Sequence, residues 1–177
     1  ITAAALEAWT LLAALAAQTS RLRLGVIVTS NRLRNPALLA KMAATTDIIA
    51  GGRLDFGIGA GGSRIAGAGD RVLRIVAEHA DIWNYPGPPS AEFQQKNKVL
   101  DEHCAAIGRD PDEITRSMQT IVRCDDPQAP AATRALVLEM ISAGVTHIVL
   151  AAILAGRPVQ WLADQIIEPV IAEVQHR

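Results

Sequence analysis

The chain has 177 residues, half of them hydrophobic, with a formal net charge of −1 and a sequence pI near 6.5. That length buries one sizeable core and is short for two ordinary domains. A near-neutral surface has no electrostatic attraction for nucleic acid or an anionic membrane, so both are set aside as partners. Cys104 and Cys124 have no metal-ligand spacing, and a single pair makes no disulfide scaffold, which fits a reducing cytoplasm. The apolar opening from Ala3 to Ala17 is interrupted by Glu7 and lacks the basic flank and cleavage motif of a secretory leader. No stretch reaches the ~18 uninterrupted apolar residues that span a bilayer. The first residue is Ile1 rather than Met, so the true start is expected upstream.

In chain order, Leu6, Trp9, Leu12, Leu15 and Ala16 recur at helical spacing and predict a core-facing helix over 2–19. LRLGVIVT, Leu22 to Thr29, is nearly continuous in apolar residues, as in a parallel strand buried on both faces. Asn35-Pro36 then starts a helix, with Asn as cap and Pro at the first helical position, and Gly51-Gly52 ends it near Ala50. RLDFGIG, Arg53 to Gly59, is a second strand. Helices are expected near 70–80, 91–107, from Pro130 to Gly144 and over 158–175. Strands are expected at 81–84, 114–122 and 146–152. This alternation is the pattern of an α/β fold with parallel strands.

The pattern breaks once. Gly59-Ala60-Gly61-Gly62 closes one strand, and Ile65-Ala66-Gly67-Ala68-Gly69 reads as the end of another only a few residues later. Parallel neighbours need a crossover of about a dozen residues. Either 59–69 is one long loop or, the favoured reading, a segment is missing near Ser63-Arg64, within 62–65. With about six strands, the chain cannot close an eight-stranded barrel alone.

Gly67, Ala68 and Gly69, followed directly by a helix, would aim backbone N–H groups and a positive helix end at one point, a recipe for phosphate. A tight turn is the plain alternative. Gly57-x-Gly59-x-Gly61 lacks the third glycine, helix and acidic partner of a dinucleotide fingerprint, and a Rossmann reading is rejected. Asn31, Arg32, Arg34 and Asn35 follow a buried strand, on the side where α/β barrels build active sites, although Asn35 also serves as a cap and the arginines as solvated charges. His79, His103, His147 and His176 show no metal-ligand spacing and read as structural or surface residues; no metal is expected. Trp83-Asn84 ends a strand and either faces a ligand or packs in the core. No nucleophile–base set or carboxylate pair assembles, so the catalytic residues stay unknown.

EAWTLLAALAAQTSRLRLGVIVTSNRLRNPALLAKMAATTDIIAGGRLDFGIGAG, from Glu7 to Gly61, resembles the second helix through fourth strand of the bacterial-luciferase-like family. IAGAGDRVLRIVAEHADIWN, from Ile65 to Asn84, is similar to its fifth strand, helix and sixth strand, and GRDPDEITRS and GVTHIVL to the regions of its last two strands. The resemblance implies a (β/α)8 TIM barrel, here a single incomplete domain over 1–177 that lacks the first strands and the segment after the fourth. It implies coenzyme F420, or alternatively FMN, at the C-terminal mouth. Val26-Ile27 would occupy the place of a non-prolyl cis peptide behind the flavin ring, with Thr29 near the ring's polar edge. Ala60 and Gly61 would contact the ribityl chain, and Gly67, Ala68 and Gly69 the phosphate. The expected function is F420-dependent hydride transfer to or from a small organic molecule. The alternatives are an FMN-dependent monooxygenase and a shortened, non-catalytic flavin-binding relative. The resemblance also implies a homodimer.

Overall fold

The computed structural model describes residues 6–30, 33–59 and 69–176. The chain divides into two compact units, Ile1–Ala66 and Gly67–Arg177, the division falling just after the stretch where the strand–helix alternation breaks.

In the first unit, α1 (Ala8–Gln18) buries Trp9, Leu12 and Ala16, residues spaced three and four apart and so on one helical face. Glu7 caps it, its carboxylate accepting from the Thr10 backbone N–H at 2.8 Å. α2 (Pro36–Ala50) starts as expected: Asn35 Oδ1 accepts from Ala37 N at 2.9 Å, and Gly51 ends the helix at φ 63°. The two predicted strands are each interrupted. The first becomes β1 (Leu24–Gly25) and β2 (Thr29–Ser30); the second becomes β3 (Leu54–Asp55) and β4 (Ile58–Gly59). They pair in parallel, β1 with β3 and β2 with β4. Arg53 ties this layer to α1 by donating to the carbonyls of Ala16, Thr19 and Leu22 at 3.1, 2.7 and 2.6 Å, a cation on the negative end of a helix.

The second unit follows the predicted alternation closely. α3 (Asp70–His79), β5 (Ile82–Tyr85), α4 (Ala91–Ala106), β6 (Thr115–Arg123), α5 (Ala129–Ser142) and β7 (His147–Ile153) build a continuous parallel sheet in the order β5-β6-β7. One face is packed by helices: Trp83, Tyr85, Met118 and Val122 are buried, with Phe93, Leu100 and Leu73 from α4 and α3 completing the core. Trp83 stacks on Phe93 at 5.8 Å, so this tryptophan is core packing. The last predicted helix divides into α6 (Gln160–Leu162), a π turn over Ala163–Ile167 and α7 (Glu168–Gln175). Pro169 explains the irregularity. It has no N–H to give the Gln165 carbonyl one turn back, and Arg134 of α5 supplies the donor instead at 2.7 Å.

Among the described residues the strands form three separate sheets of two, two and three, and no closed barrel. The expected fifth strand falls at 60–68, outside the described residues.

Candidate functional site

The interruption of the first strand pair has a definite geometry. Leu24 lies opposite Leu54 and Gly25 opposite Asp55, yet Thr29 lies opposite Ile58. The first strand therefore carries one more residue than its partner across the gap, as in a β-bulge, a device that re-aims side chains next to active sites. Both ends of the extra segment are anchored. Thr29 N donates to the Gly57 carbonyl at 2.8 Å, and the Val26 carbonyl lies so near Gly57 that a Cβ there would meet it at 2.1 Å. A Cβ on Gly59 would meet Val28 Cγ2 at 2.5 Å. The departure from regular strand therefore falls on Ile27 and Val28, and the peptide between them is cis. The sequence expectation put that bond at Val26-Ile27; it is one residue later, because Val26 is held by the facing glycine.

The expected cofactor residues are placed as follows. Val26 packs against the cluster of Trp9, Leu12 and Leu24, whereas Ile27 and Val28 are about half exposed. Thr29 is buried, and its hydroxyl accepts from the Trp9 indole N–H at 3.1 Å. Gly69 precedes α3 with no side-chain cap, φ −66° and open space where a Cβ would stand. Ala60, Gly61, Gly67 and Ala68 lie outside the described residues, as do Asn31 and Arg32. Arg34 is ion-paired to Glu7. Hydrogen bonds from the Thr10 backbone and hydroxyl, with help from Arg34, lower the Glu7 carboxyl from 4.5 to about 2. Its role is to cap α1 and anchor a loop.

A polar row that sequence reasoning missed crosses the second unit. Asn84, Ser117 and His147 occupy one register across β5, β6 and β7, on the face without helices. The Ser117 hydroxyl, itself buried, donates to Asn84 Oδ1 at 3.0 Å and lies 2.9 Å from His147 Nδ1. With the hydroxyl proton on Asn84, the His147 Nδ1–H is the donor to Ser117 and Nε2 carries the lone pair. The signal was present as strand periodicity, but register between strands was needed to join three separate residues. His147 opens β7, the strand end that in barrels serves stability more than catalysis.

Two shallow hollows lie away from the polar row. One, of 370 Å³, lies between α1 and α2 and is lined by Trp9, Ala13, Met42 and Thr46. The other, of 220 Å³, is polar and lies at the N-terminal ends of β6 and β7, around Asn97, Asp101 and Arg116. Among the described residues no three His, Cys, Asp or Glu side chains converge as metal ligands. Cys104 is buried, and burial pushes its thiol pKa up, which suits a core residue rather than a nucleophile.

Residues 2–66, the stretch that holds the bulged strand pair, match the model of the Luciferase-like monooxygenase family. The phthiodiolone/phenolphthiodiolone dimycocerosates ketoreductase of Mycobacterium sp. (strain JLS) is 48% identical over 60 residues, 33% of this chain and 16% of that protein. Its counterpart in Mycobacterium tuberculosis (strain ATCC 25618 / H37Rv) is 52% identical over 56 residues, 31% of this chain and 15% of that protein. Each matched stretch thus spans about one sixth of the relative's length. The coenzyme F420 dependent tetrahydromethanopterin reductase from Methanopyrus kandleri superposes with a TM-score of 0.75 at 14% identity, covering 93% of this chain and 88% of that one. Monooxygenase RslO1 from Streptomyces bottropensis gives 0.70 at 16% identity, covering 92% and 83%. These likenesses show the fold alone: an α/β chain of the TIM-barrel type.

Proposed function

We propose that the chain is part of a luciferase-like oxidoreductase that moves a hydride between coenzyme F420 and a carbonyl or alcohol carbon of a small organic substrate. The observation that carries this reading is the bulged strand pair itself, which lies within the stretch 2–66 that matches the luciferase-like family model; 48% identity over 60 residues to a ketoreductase supports the choice of reaction. The fold shared with an F420-dependent reductase supports the choice of cofactor. A bound deazaflavin supplies a hydride donor and acceptor that does not activate oxygen.

The residues present fit such a group. Gly57 and Gly59 leave no room for side chains where their strand meets the bulge, and Ile27 and Val28 offer an apolar, half-exposed surface of the kind a flat ring system packs on. Thr29, bonded to Trp9, holds the bulge against α1. Homodimer formation belongs to the same proposal and is read directly by sedimentation equilibrium.

Spectral titration with F420 and FMN, followed by turnover on the same sample, tests the reading. F420 binding with a Kd of about 10 μM or below, and oxidation of reduced F420 by a ketone, is the expected result. Binding of FMN with oxygen uptake would replace it by a monooxygenase. Binding of neither cofactor would sink the enzyme reading and favour a non-catalytic relative.

A further inference from the structure

The helix-free face of the β5-β6-β7 sheet carries one formally charged side chain among the described residues, Arg123, at the C-terminal end of β6. Along β6 this face presents Ser117, Gln119, Ile121 and Arg123, and along β7 His147, Val149, Ala151 and Ile153. It runs from a hydrogen-bonded polar row at one end, through apolar side chains, to a single cation at the other. In a barrel the helices lie outside, so this face is the interior and the C-terminal strand ends form the mouth where ligands bind.

The other arginine of the same strand shows what a structural role looks like here. Arg116, on the opposite face, is 90% buried as a side chain. It donates to Asn97, Asp101 and the carbonyls of Pro111 and Ile114, which accounts for its charge and its fork. Arg123 is 61% exposed and has one partner among the described residues, Asp125, at 3.3 Å, itself 49% exposed. Such a pair contributes little, and the rest of the guanidinium fork remains available for bidentate bonding to a carboxylate or phosphate.

We infer that Arg123 is a specificity-determining residue that takes an anionic group, carboxylate or phosphate, of a ligand entering at the mouth. This rests on the oxidoreductase reading only for the ligand's identity: the anion belongs either to the cofactor's tail or to the substrate.

The test titrates the full chain and its Arg123→Gln variant with FMN, riboflavin and inorganic phosphate, the last followed by 31P line broadening. Loss of about 10-fold in FMN affinity with riboflavin unchanged assigns the anion to the cofactor. Unchanged FMN binding with loss of phosphate binding assigns it to the substrate. Asp125→Asn, which removes the competing carboxylate, is expected to tighten phosphate about threefold in either case. Phosphate binding that is absent in the parent chain, or that neither variant alters while FMN is also unaffected, overturns the inference. A parent chain that binds phosphate through Arg123 but, in the titration with both cofactors, neither F420 nor FMN would overturn the proposed function and leave the anion site standing.

Discussion

The two units build parallel strands in opposite ways. In the second, β6 and β7 pair without interruption over seven residues, and the strand interior is fixed by side-chain volume: Phe93, Leu100, Met118 and Val122 fill the space between sheet and helices completely. In the first, no strand among the described residues exceeds two paired residues, and the layer is fixed by backbone approach, with Gly57 and Gly59 pressed against Val26 and Val28. The lesson is that the regular unit is sensitive to atoms removed and the irregular one to atoms added. The irregular backbone kept by close glycine packing lies within the segment that the family match covers.

The largest expected effect breaks the regular side of this contrast. Phe93→Ala empties a fully buried site stacked on Trp83 and is expected to cost about 4 kcal/mol by urea denaturation. Gly57→Ala adds one methyl group where the Val26 carbonyl stands 2.1 Å away, backbone that cannot rotate aside. A loss of about 3 kcal/mol is expected, with cofactor affinity falling more than stability alone explains. If Gly57→Ala is neutral, the account of the bulge fails. Ser117→Ala removes the link between Asn84 and His147 and should cost about 1 kcal/mol. Its nitrogen-15 NMR readout is sharper: the His147 tautomer preference set by Ser117 should disappear. Gly69→Ala is the control for glycine itself. With open space and φ −66° it should change stability by less than about 0.5 kcal/mol.

Acid gives the subtlest probe of the first unit. Because folding lowers the Glu7 carboxyl from 4.5 to about 2, the cap on α1 is fully present above pH 4.5 and is lost as pH falls toward 2. A carboxyl carbon NMR titration of Glu7 checks this directly, and a midpoint near 4.5 would show that the Thr10 bonds do not hold the charge.

What was legible in the sequence follows the same division. Asn35-Pro36, Gly51 and the apolar stripes of the helices gave most element positions within a few residues, because caps and periodicity are local signals. Leu22–Thr29 and Arg53–Gly59 were also legible as strands, but as unbroken ones. Their interruption depends on which residues face each other: Gly57 opposite the Val26 carbonyl is a relation between positions far apart in the chain. The cis peptide was misplaced by one residue for the same reason. Asn84, Ser117 and His147 were invisible as a row until register aligned them, and Arg123 was unremarkable until the faces of β6 were separated and Arg116 was seen to be fully engaged. Pro169 was read as part of a helix; that its missing N–H produces a π turn needed the Arg134 contact to be seen.

The most direct test of the central claim, that the bulged strand pair is a deazaflavin or flavin ring platform, is a fluorescence titration of the parent chain and Gly57→Ala with F420 and FMN side by side. The account predicts saturable binding of at least one cofactor by the parent chain and a loss of about 10-fold or more in Gly57→Ala under conditions where both are folded. Equal affinity of the two proteins would contradict it, since the ligand would then be bound somewhere that the Gly57–Val26 contact does not shape.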